Sequence, residues 1–308
     1  MKIYKFYGTG LYMEQKVIDA YVKAGKIASK ARTYTKSLCA DGALAVDIAN
    51  KVESKIRSLG GEIAFPVDVS INEVAAHYTP SAGDKLTLKK GDLVKVDLGA
   101  QINGYIADTV ACVSVGLDKS NNELISAASD ALSAALKVLK PGVTLNEIGK
   151  AISGSVAGTD VKVIRNLTGH GLGQYEVHTS PSIFNFESGN MTELRDCAVA
   201  IEPFTTHGDG LVVDAKRSGI FRVERRKQVR VGRDVLAYVL KKYRSLPFSL
   251  RELVGKFGAM KARLAVRTMI ASGVLTEYDV LRERSKSKVA QAEHTVLILD
   301  GKVIVTTK

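Results

Sequence analysis

Apolar positions along this chain recur with two periods, and the switches between them outline its elements. Leu11, Val17, Ile18, Tyr21, Val22, Ile27 and Ala28 fall at helical spacing and predict a helix over 11–32. A second stripe, Leu44, Ile48, Val52, Ile56 and Leu59, predicts a helix over 43–59, with Asp41 near its start and Gly60-Gly61 at its end. Residues 63–71 read as extended chain broken by Pro66, and 72–80 carry His77. The period then falls to two in a pair of runs, 94–99 and 103–109, joined through Asn103-Gly104, a two-residue hairpin turn signal. That turn sets Asp97 opposite Val110 and leaves Asp108 one diagonal step away on the same face, roughly 7–8 Å off at the backbone.

The pattern then recurs. A helix over 122–139 ends at Pro141-Gly142, and Thr144 opens another through 157, with Glu147 as its capping-box partner. A strand at 161–164, a Gly/His-rich loop and a strand at 198–202 follow. Helix, helix, strand, His-bearing loop and acidic strand thus occur twice, over 11–113 and 122–221, as in a diverged duplication whose halves would face each other across a cleft. Beyond it, 234–245 reads as helix, Ser249-Leu250-Arg251-Glu252 as a capping box opening a short helix, and 259–271 as a helix closed by Gly273. Residues 274–282 and 289–299 flank a Ser-Lys-Ser-Lys turn at 285–288, so three helices and a ribbon resemble a winged helix. The final hairpin, 295–299 and 303–306 about Asp300-Gly301, is expected to return to the main sheet.

Seven polar residues stand in apolar or glycine-rich surroundings: His77, Asp97, Asp108, His170, His178, Glu202 and Glu293. A carboxylate in an apolar strand costs free energy unless it is paired or holds a metal. Four carboxylates with one or two imidazoles favour divalent Mn, Fe, Co or Zn. They carry too much negative charge for one catalytic zinc but suit two ions roughly 3.5–4 Å apart that share a bridging hydroxide, the arrangement of a hydrolase. One such ion can also polarise a carbonyl or hold a substrate amine. Each residue has a plainer reading as well. Asp97 can cap its own turn, Asp108 can pair with Lys95, Glu202 and Glu293 can be sheet-edge charges, and His170 can be a satisfied loop histidine. Glycines on both sides of His170 let backbone approach a bound species; the same run faintly resembles a phosphate loop but lacks the strand-to-helix context and trailing lysine. His207 and His294 read as structural.

Charge changes the picture in one place. The 308-residue chain has a net charge of +12, and all of the excess lies in 222–288, with 18 Lys/Arg against 6 Asp/Glu; the remainder is neutral. That segment reads as a basic insertion in a neutral body. No run approaches the roughly 18–20 apolar residues of a membrane span, and the start, Met1-Lys2-Ile3, has no signal-peptide character. Three scattered cysteines, Cys39, Cys112 and Cys197, fit a reducing compartment. The expectation is a soluble cytoplasmic protein.

Several stretches resemble the type 2 methionine aminopeptidases of archaea and eukaryotes: Ala64-Phe65-Pro66, Asn72-Glu73-Val74-Ala75-Ala76-His77-Tyr78-Thr79-Pro80, Lys95-Val96-Asp97-Leu98-Gly99, Asn166-Leu167-Thr168-Gly169-His170-Gly171, Val177-His178, Ile201-Glu202-Pro203-Phe204 and Gln291-Ala292-Glu293-His294-Thr295. The resemblance spans nearly the whole chain. It implies an α+β pita-bread fold, two pseudo-symmetric halves around a central antiparallel sheet, formed by 1–221 and 289–308, with a winged-helix-like insertion at 222–288. It implies removal of the initiator methionine from nascent proteins when the next residue is small, so that large Lys2 would protect this chain's own Met1. It implies two divalent ions (Co, Mn, Fe or Zn), with Asp108 and Glu293 bridging, Asp97 completing one ion and His170 with Glu202 the other. Glu202 would shuttle the proton, His178 would bind the scissile carbonyl, and His77 would contact the scissile amide and assist leaving-group protonation. Phe65, Pro66, Val177, Phe204 and Ile220 would line the methionine pocket. Asp68 departs from the pattern, standing where an uncharged residue is expected near the pocket rim, and 205–210 match only in outline. The family is mostly monomeric.

Three other readings compete. Prolidases and aminopeptidase P share the five ligands but carry a large N-terminal domain and no basic insertion. A pita-bread protein that had lost its ligands would not keep all five. The basic segment could bind the ribosome or another nucleic acid through phosphates, or be a solvated subdomain.

Overall fold

The structure, a computed structural model, describes residues 4–7, 10–225, 227 and 229–308. Met1 and Lys2, and with them the expectation about retention of Met1, lie outside the described residues. Helix α1 (Gln15–Lys36) begins later than its stripe suggests, because Gly10–Met13 is a strand paired with Tyr4–Tyr7. Helix α2 (Ala45–Ser58) buries Ile48, Val52 and Ile56 almost completely, worth roughly 1.5–3 kcal/mol for each side chain. Gly60 follows its end in the left-handed region, at φ +84°. Asp41 does not cap it; its carboxylate instead accepts the Lys90 amide at 3.1 Å.

Both helices cover the first hairpin, Leu93–Ile102 with Tyr105–Ser114, whose outer neighbours are Glu62–Ile63 and Asp68–Ile71. The register is the expected one, Asp97 opposite Val110 and Gly99 opposite Asp108, about a turn with Asn103 at φ 53° and Gly104 at φ 87°. Left-handed φ at both central residues matches the twist of the flanking strands. Helices α3 (Lys119–Val138) and α4 (Leu145–Gly154) repeat the plan. The Thr144–Glu147 capping box is complete. These helices lie over a five-stranded sheet ordered Glu176–Phe184, Thr168–Gly173, Cys197–Ile201, His294–Leu299, Lys302–Val305. Each helix pair encloses its own apolar core, one around Val52, Ile56, Val96 and Leu98, the other around Leu132, Ile148, Val199 and Val296.

The two sheets meet through Thr295. The Asp108 amide donates to its hydroxyl oxygen at 2.7 Å, and that hydroxyl donates to the Asp108 carbonyl at 2.9 Å. Thr109 Oγ1 donates to the Glu293 carbonyl at 3.0 Å. The strand His294–Leu299 is therefore stitched to the first hairpin, and their acidic residues face one space.

The basic segment holds α5 (Arg233–Lys242), α6 (Leu250–Phe257) and α7 (Ala259–Ala271). Its ribbon is not the expected one. Leu275–Glu283 pairs with Val212–Val223, from Val212 opposite Glu283 to Val223 opposite Leu275. Val289–Gln291 pairs with Phe204–Thr206 instead. The Glu283 carboxylate causes this turn-away by accepting from Ser285 Oγ, the Ser287 amide and the Asp209 amide, and the apolar Val289 and Ala290 then enter the body, fully buried. Ser249 caps α6, but Glu252 does not complete the box; its carboxylate takes Tyr238 and Lys242. Val235, Leu253, Val266 and Met269 share one apolar cluster with Tyr21, Tyr105 and Leu297 of the body.

Candidate metal centre

His77, Asp97, Asp108, His170, His178, Glu202 and Glu293 all line one cavity of about 220 Å³. Asp97 and Asp108 come from the first hairpin, His170 and His178 from two adjacent strands of the five-stranded sheet. Glu202 follows Cys197–Ile201, Glu293 precedes His294–Leu299, and His77 follows Val74–Ala76. The set draws on both helix–sheet halves, as a cleft between repeats requires. His77 stands at φ 65°, a conformation that costs a non-glycine residue about 1–3 kcal/mol.

Geometry bears on several of the plainer readings. Asp97 Oδ1 is buried without a hydrogen-bond partner, and its Oδ2 faces the Gln291 amide at 3.4 Å. Lys95 is fully buried but donates to the Asn72 and Val289 carbonyls, not to Asp108. His170 lies on a strand rather than a loop. Its glycines serve packing, since a Cβ at Gly169 would sit 2.4 Å from the Ala200 carbonyl oxygen and one at Gly171 2.3 Å from that of Ser180. His294 turns away to Arg32 and Thr307, and His207 lies near Glu123.

His170 Nε2 is 3.3 Å from Glu202 Oε1 and 3.9 Å from Asp108 Oδ2. Its Nδ1 faces the Gly171 carbonyl at 3.2 Å. A carbonyl only accepts, so Nδ1 carries the proton and Nε2 presents its lone pair to the carboxylates, as a metal-binding imidazole must. Single ligand atoms of Asp108, His170 and Glu293 lie within 4.8 Å of one another. Asp97 Oδ1, Asp108 Oδ1 and Glu293 Oε2 are buried with no hydrogen-bond partner. Burial, then repulsion from Asp97, holds the carboxyls of Asp108 and Glu202 well above their usual range; burial, then Asp108, does so for Glu293. Burial pushes Asp97 up to about 6. Crowded carboxylates with orphaned oxygens, beside an imidazole lone pair, are a donor set that divalent cations satisfy. Burial also pushes the His170 imidazole down to about 4 and the His178 imidazole to about 3, so both are neutral at physiological pH.

Of the expected apolar wall, Phe65, Val177, Phe204 and Ile220 line the cavity, whereas Pro66 is buried but does not reach it. Sequence reasoning missed Gln291, whose Nε2 lies 3.4 Å from both Asp97 Oδ2 and Glu202 Oε2. The signal was present: Gln291 is the lone polar residue after Val289-Ala290 and sits two positions before Glu293. It also missed Tyr278, which edges onto the His77 ring at 5.5 Å between centroids and reaches the cavity from the strand that closes the insertion.

Residues 19–238 match the model of metallopeptidase family M24. The chain is 41% identical over 295 residues to a protein of Pyrococcus abyssi named methionine aminopeptidase, covering 94% of this chain and 99% of that one. Among solved structures, a thermophilic Arx1 superposes with a TM-score of 0.82 at 19% identity, covering 96% of this chain and 91% of that one. A methionine aminopeptidase of Thermotoga maritima superposes with a TM-score of 0.70 at 24% identity, covering 96% and 98%. The last two likenesses speak for the fold alone, which is the pita-bread architecture.

Proposed function

The chain belongs to metallopeptidase family M24, and from that premise we infer that it is a methionine aminopeptidase, which removes the N-terminal initiator methionine from nascent proteins and peptides when the next residue is small. The observation that carries the reading is the one cavity that gathers all seven polar residues beside an apolar wall.

Two divalent ions, from among Co, Mn, Fe and Zn, are the proposed cofactors; when bound they supply Lewis acidity toward the scissile carbonyl and generate the nucleophile from water at neutral pH. Asp97, Asp108, His170, Glu202 and Glu293 would hold them, with Asp108 and Glu293 shared. Glu202 accepts the proton of the attacking water and returns it to the departing amine. His178, neutral and buried, donates a ring N–H to the carbonyl oxygen as negative charge grows there. His77 Nδ1 faces the Asp279 carbonyl at 3.1 Å, which leaves Nε2 as an acceptor for the scissile amide N–H. That tautomer has no second proton to give, and burial keeps the ring neutral, so leaving-group protonation is assigned to Glu202 rather than His77. Phe65, Val177, Phe204 and Ile220 take up the methionine side chain, whose thioether suits contact with aromatic rings.

The basic insertion supports assignment to the type 2 group, with 1–221 and 289–308 as the catalytic body and 222–288 as the insertion. Its positive charge suits docking on ribosomal RNA in the cytoplasm. Cosedimentation of the full chain with ribosomes, set against a variant with Arg263, Arg267 and Lys256 reversed to Glu, is expected to separate the two; equal binding removes the idea. The activity itself is tested by chelating the protein, restoring Co, Mn, Fe or Zn in turn, and offering Met-Ala-type and Xaa-Pro peptides. Release of methionine from the former is expected. Cleavage confined to Xaa-Pro bonds would make the protein a prolidase.

A further inference from the structure

His77 stands in the left-handed region, at φ 65°, directly after the strand Val74–Ala76 ends. A non-glycine residue keeps that conformation only where its surroundings impose it. On the body side, the Tyr78 carbonyl accepts the Val69 amide at 2.7 Å, and Thr79 Oγ1 donates to the Val67 carbonyl at 2.9 Å. The remaining holds come from the basic segment. The Asp279 carbonyl faces His77 Nδ1 at 3.1 Å, the Tyr278 ring edges onto the imidazole, and Leu281 pairs with Ala76. To these α6 adds Arg251, which is buried. Its Nη1 donates to Thr79 Oγ1 at 3.0 Å and to the Pro80 carbonyl at 2.5 Å, and its Nη2 donates to the Glu53 carboxylate of α2.

Glu53 Oε1 also accepts the Val67 amide at 3.3 Å. Arg251, Thr79, Val67 and Glu53 thus form a closed ring of hydrogen bonds, which satisfies both charges of a buried ion pair. The ring fixes the chain two and three residues beyond His77, and the Asp279 carbonyl fixes the imidazole itself. Arg251, Glu53 and Thr79 do not line the cavity, so any effect on chemistry passes through a neighbour that does. One side chain must reach a carboxylate on α2 and two oxygens beside His77 at once, which the planar fork of arginine does and the single ammonium of lysine does not. A solvated appendage has no need of such a tie to the body. We propose that Arg251 is a positioning residue for His77, so that the basic segment aims the imidazole Nε2 at the scissile amide. That substrate contact rests on the aminopeptidase reading above; the hold on the imidazole does not depend on it.

The test is Arg251→Lys, which keeps the charge beside Glu53 and loses the fork. In the metal-loaded enzyme, kcat/KM for a Met-Ala-Ser peptide is expected to fall about 10- to 100-fold. Metal content should stay the same, as should the order among Met, norleucine and Leu at the first position. A double-mutant cycle with His77→Ala separates positioning from general damage. Once His77 is gone, Arg251→Lys should lower kcat/KM by less than about twofold more, whereas an unrelated structural loss would add in full. Ring-15N NMR of the histidines in zinc-loaded protein, with the His77 signals assigned from His77→Ala, gives a readout independent of turnover. One tautomer, protonated at Nδ1, is expected in the wild type and a mixture of both tautomers in Arg251→Lys. Any of four results would overturn the proposal: the wild-type tautomer in the variant, a loss of activity undiminished in the His77→Ala background, a changed order of first-position side chains with the tautomer intact, or a lower metal content. Should Arg251→Lys fail to fold, Glu53→Gln combined with Arg251→Met removes both buried charges and carries the same cycle. A wild type that releases methionine from no Met-Xaa peptide would sink the functional reading instead, while the tautomer comparison still decides whether Arg251 holds His77.

Discussion

The rings of His178 and His170 meet nearly edge-on, 4.3 Å apart between centroids. Burial keeps both imidazoles uncharged, helped at His178 by its nearness to His170, yet the tasks proposed for them differ. His170 is turned by the Gly171 carbonyl so that its lone pair faces acids. His178 is proposed to donate toward an oxygen that becomes negative. Replacing His178 with Ala should therefore lower kcat by roughly 10²–10³, the cost of one oxyanion donor, while metal content stays the same; an unchanged turnover would remove His178 from the mechanism. Gln291 works at the same scale by a different route. Its amide bridges Asp97 and Glu202, so it sets the spacing of two carboxylates that otherwise repel.

The first hairpin presents the acidic row, and its turn decides which face that row occupies. A slip of one residue would carry Asp97 and Asp108 to the helix-covered side. Gly104 guards the register twice over. Its φ of 87° disfavours any side chain, and a Cβ there would lie 2.4 Å from carbons of the Tyr175 ring. Gly104→Ala should cost about 1–2 kcal/mol from the backbone alone, more once Tyr175 is displaced, read as a lower urea midpoint at constant m-value. A midpoint equal to wild type would show that the turn does not set the register. The helices show how far local rules reach. The Thr144–Glu147 box closes as its spacing requires, because both partners lie within one turn. The Ser249–Glu252 box does not, because Tyr238 and Lys242 compete for the Glu252 carboxylate from another helix.

For the molecule as a whole, the acidic cluster is a liability that bound cations convert into an asset. The carboxyls of Asp108, Glu202 and Glu293 have folded pKa values raised well above their unfolded ones. Their contribution is present in full at low pH and is lost as pH rises through those folded values. His170 and His178 have lowered pKa values, so their contribution is present above about 6.5 and is lost as pH falls. The two sets oppose each other between about pH 4 and 6.5, and the carboxylates act alone above that. The Tm of chelated protein should therefore fall from pH 6.5 to 8, and saturating divalent metal should abolish the slope. Asp108→Asn, with one charge fewer in the cluster, should melt higher than wild type at pH 8 without metal while losing peptidase activity with it. A flat profile in chelator would mean that the carboxylates do not crowd one another in solution.

Much of this protein was legible from neighbouring residues alone. The period-two runs about Asn103-Gly104, the stripe ended by Gly60 and the Thr144 cap depend on contacts within a few positions. The motifs around Asp97, His170, Glu202 and Glu293 marked the proposed metal-holding set through family resemblance, and their cost in apolar strands marked it through physics. Pairings over long separations were not legible. Leu275–Glu283 takes Val212–Val223 as its partner, and nothing in either strand's period says so. Thr295 reaches Asp108 across 187 positions, and Gln291 reaches Asp97 across 194. Asp68 was visible as a departure from pattern, but that it stands opposite Asp97 was not. Side-chain period specifies which face of a strand is apolar; which strand lies beside it is settled only when the separate apolar faces are buried together, and it is that burial which assembles the carboxylates, the imidazoles and the cavity they share.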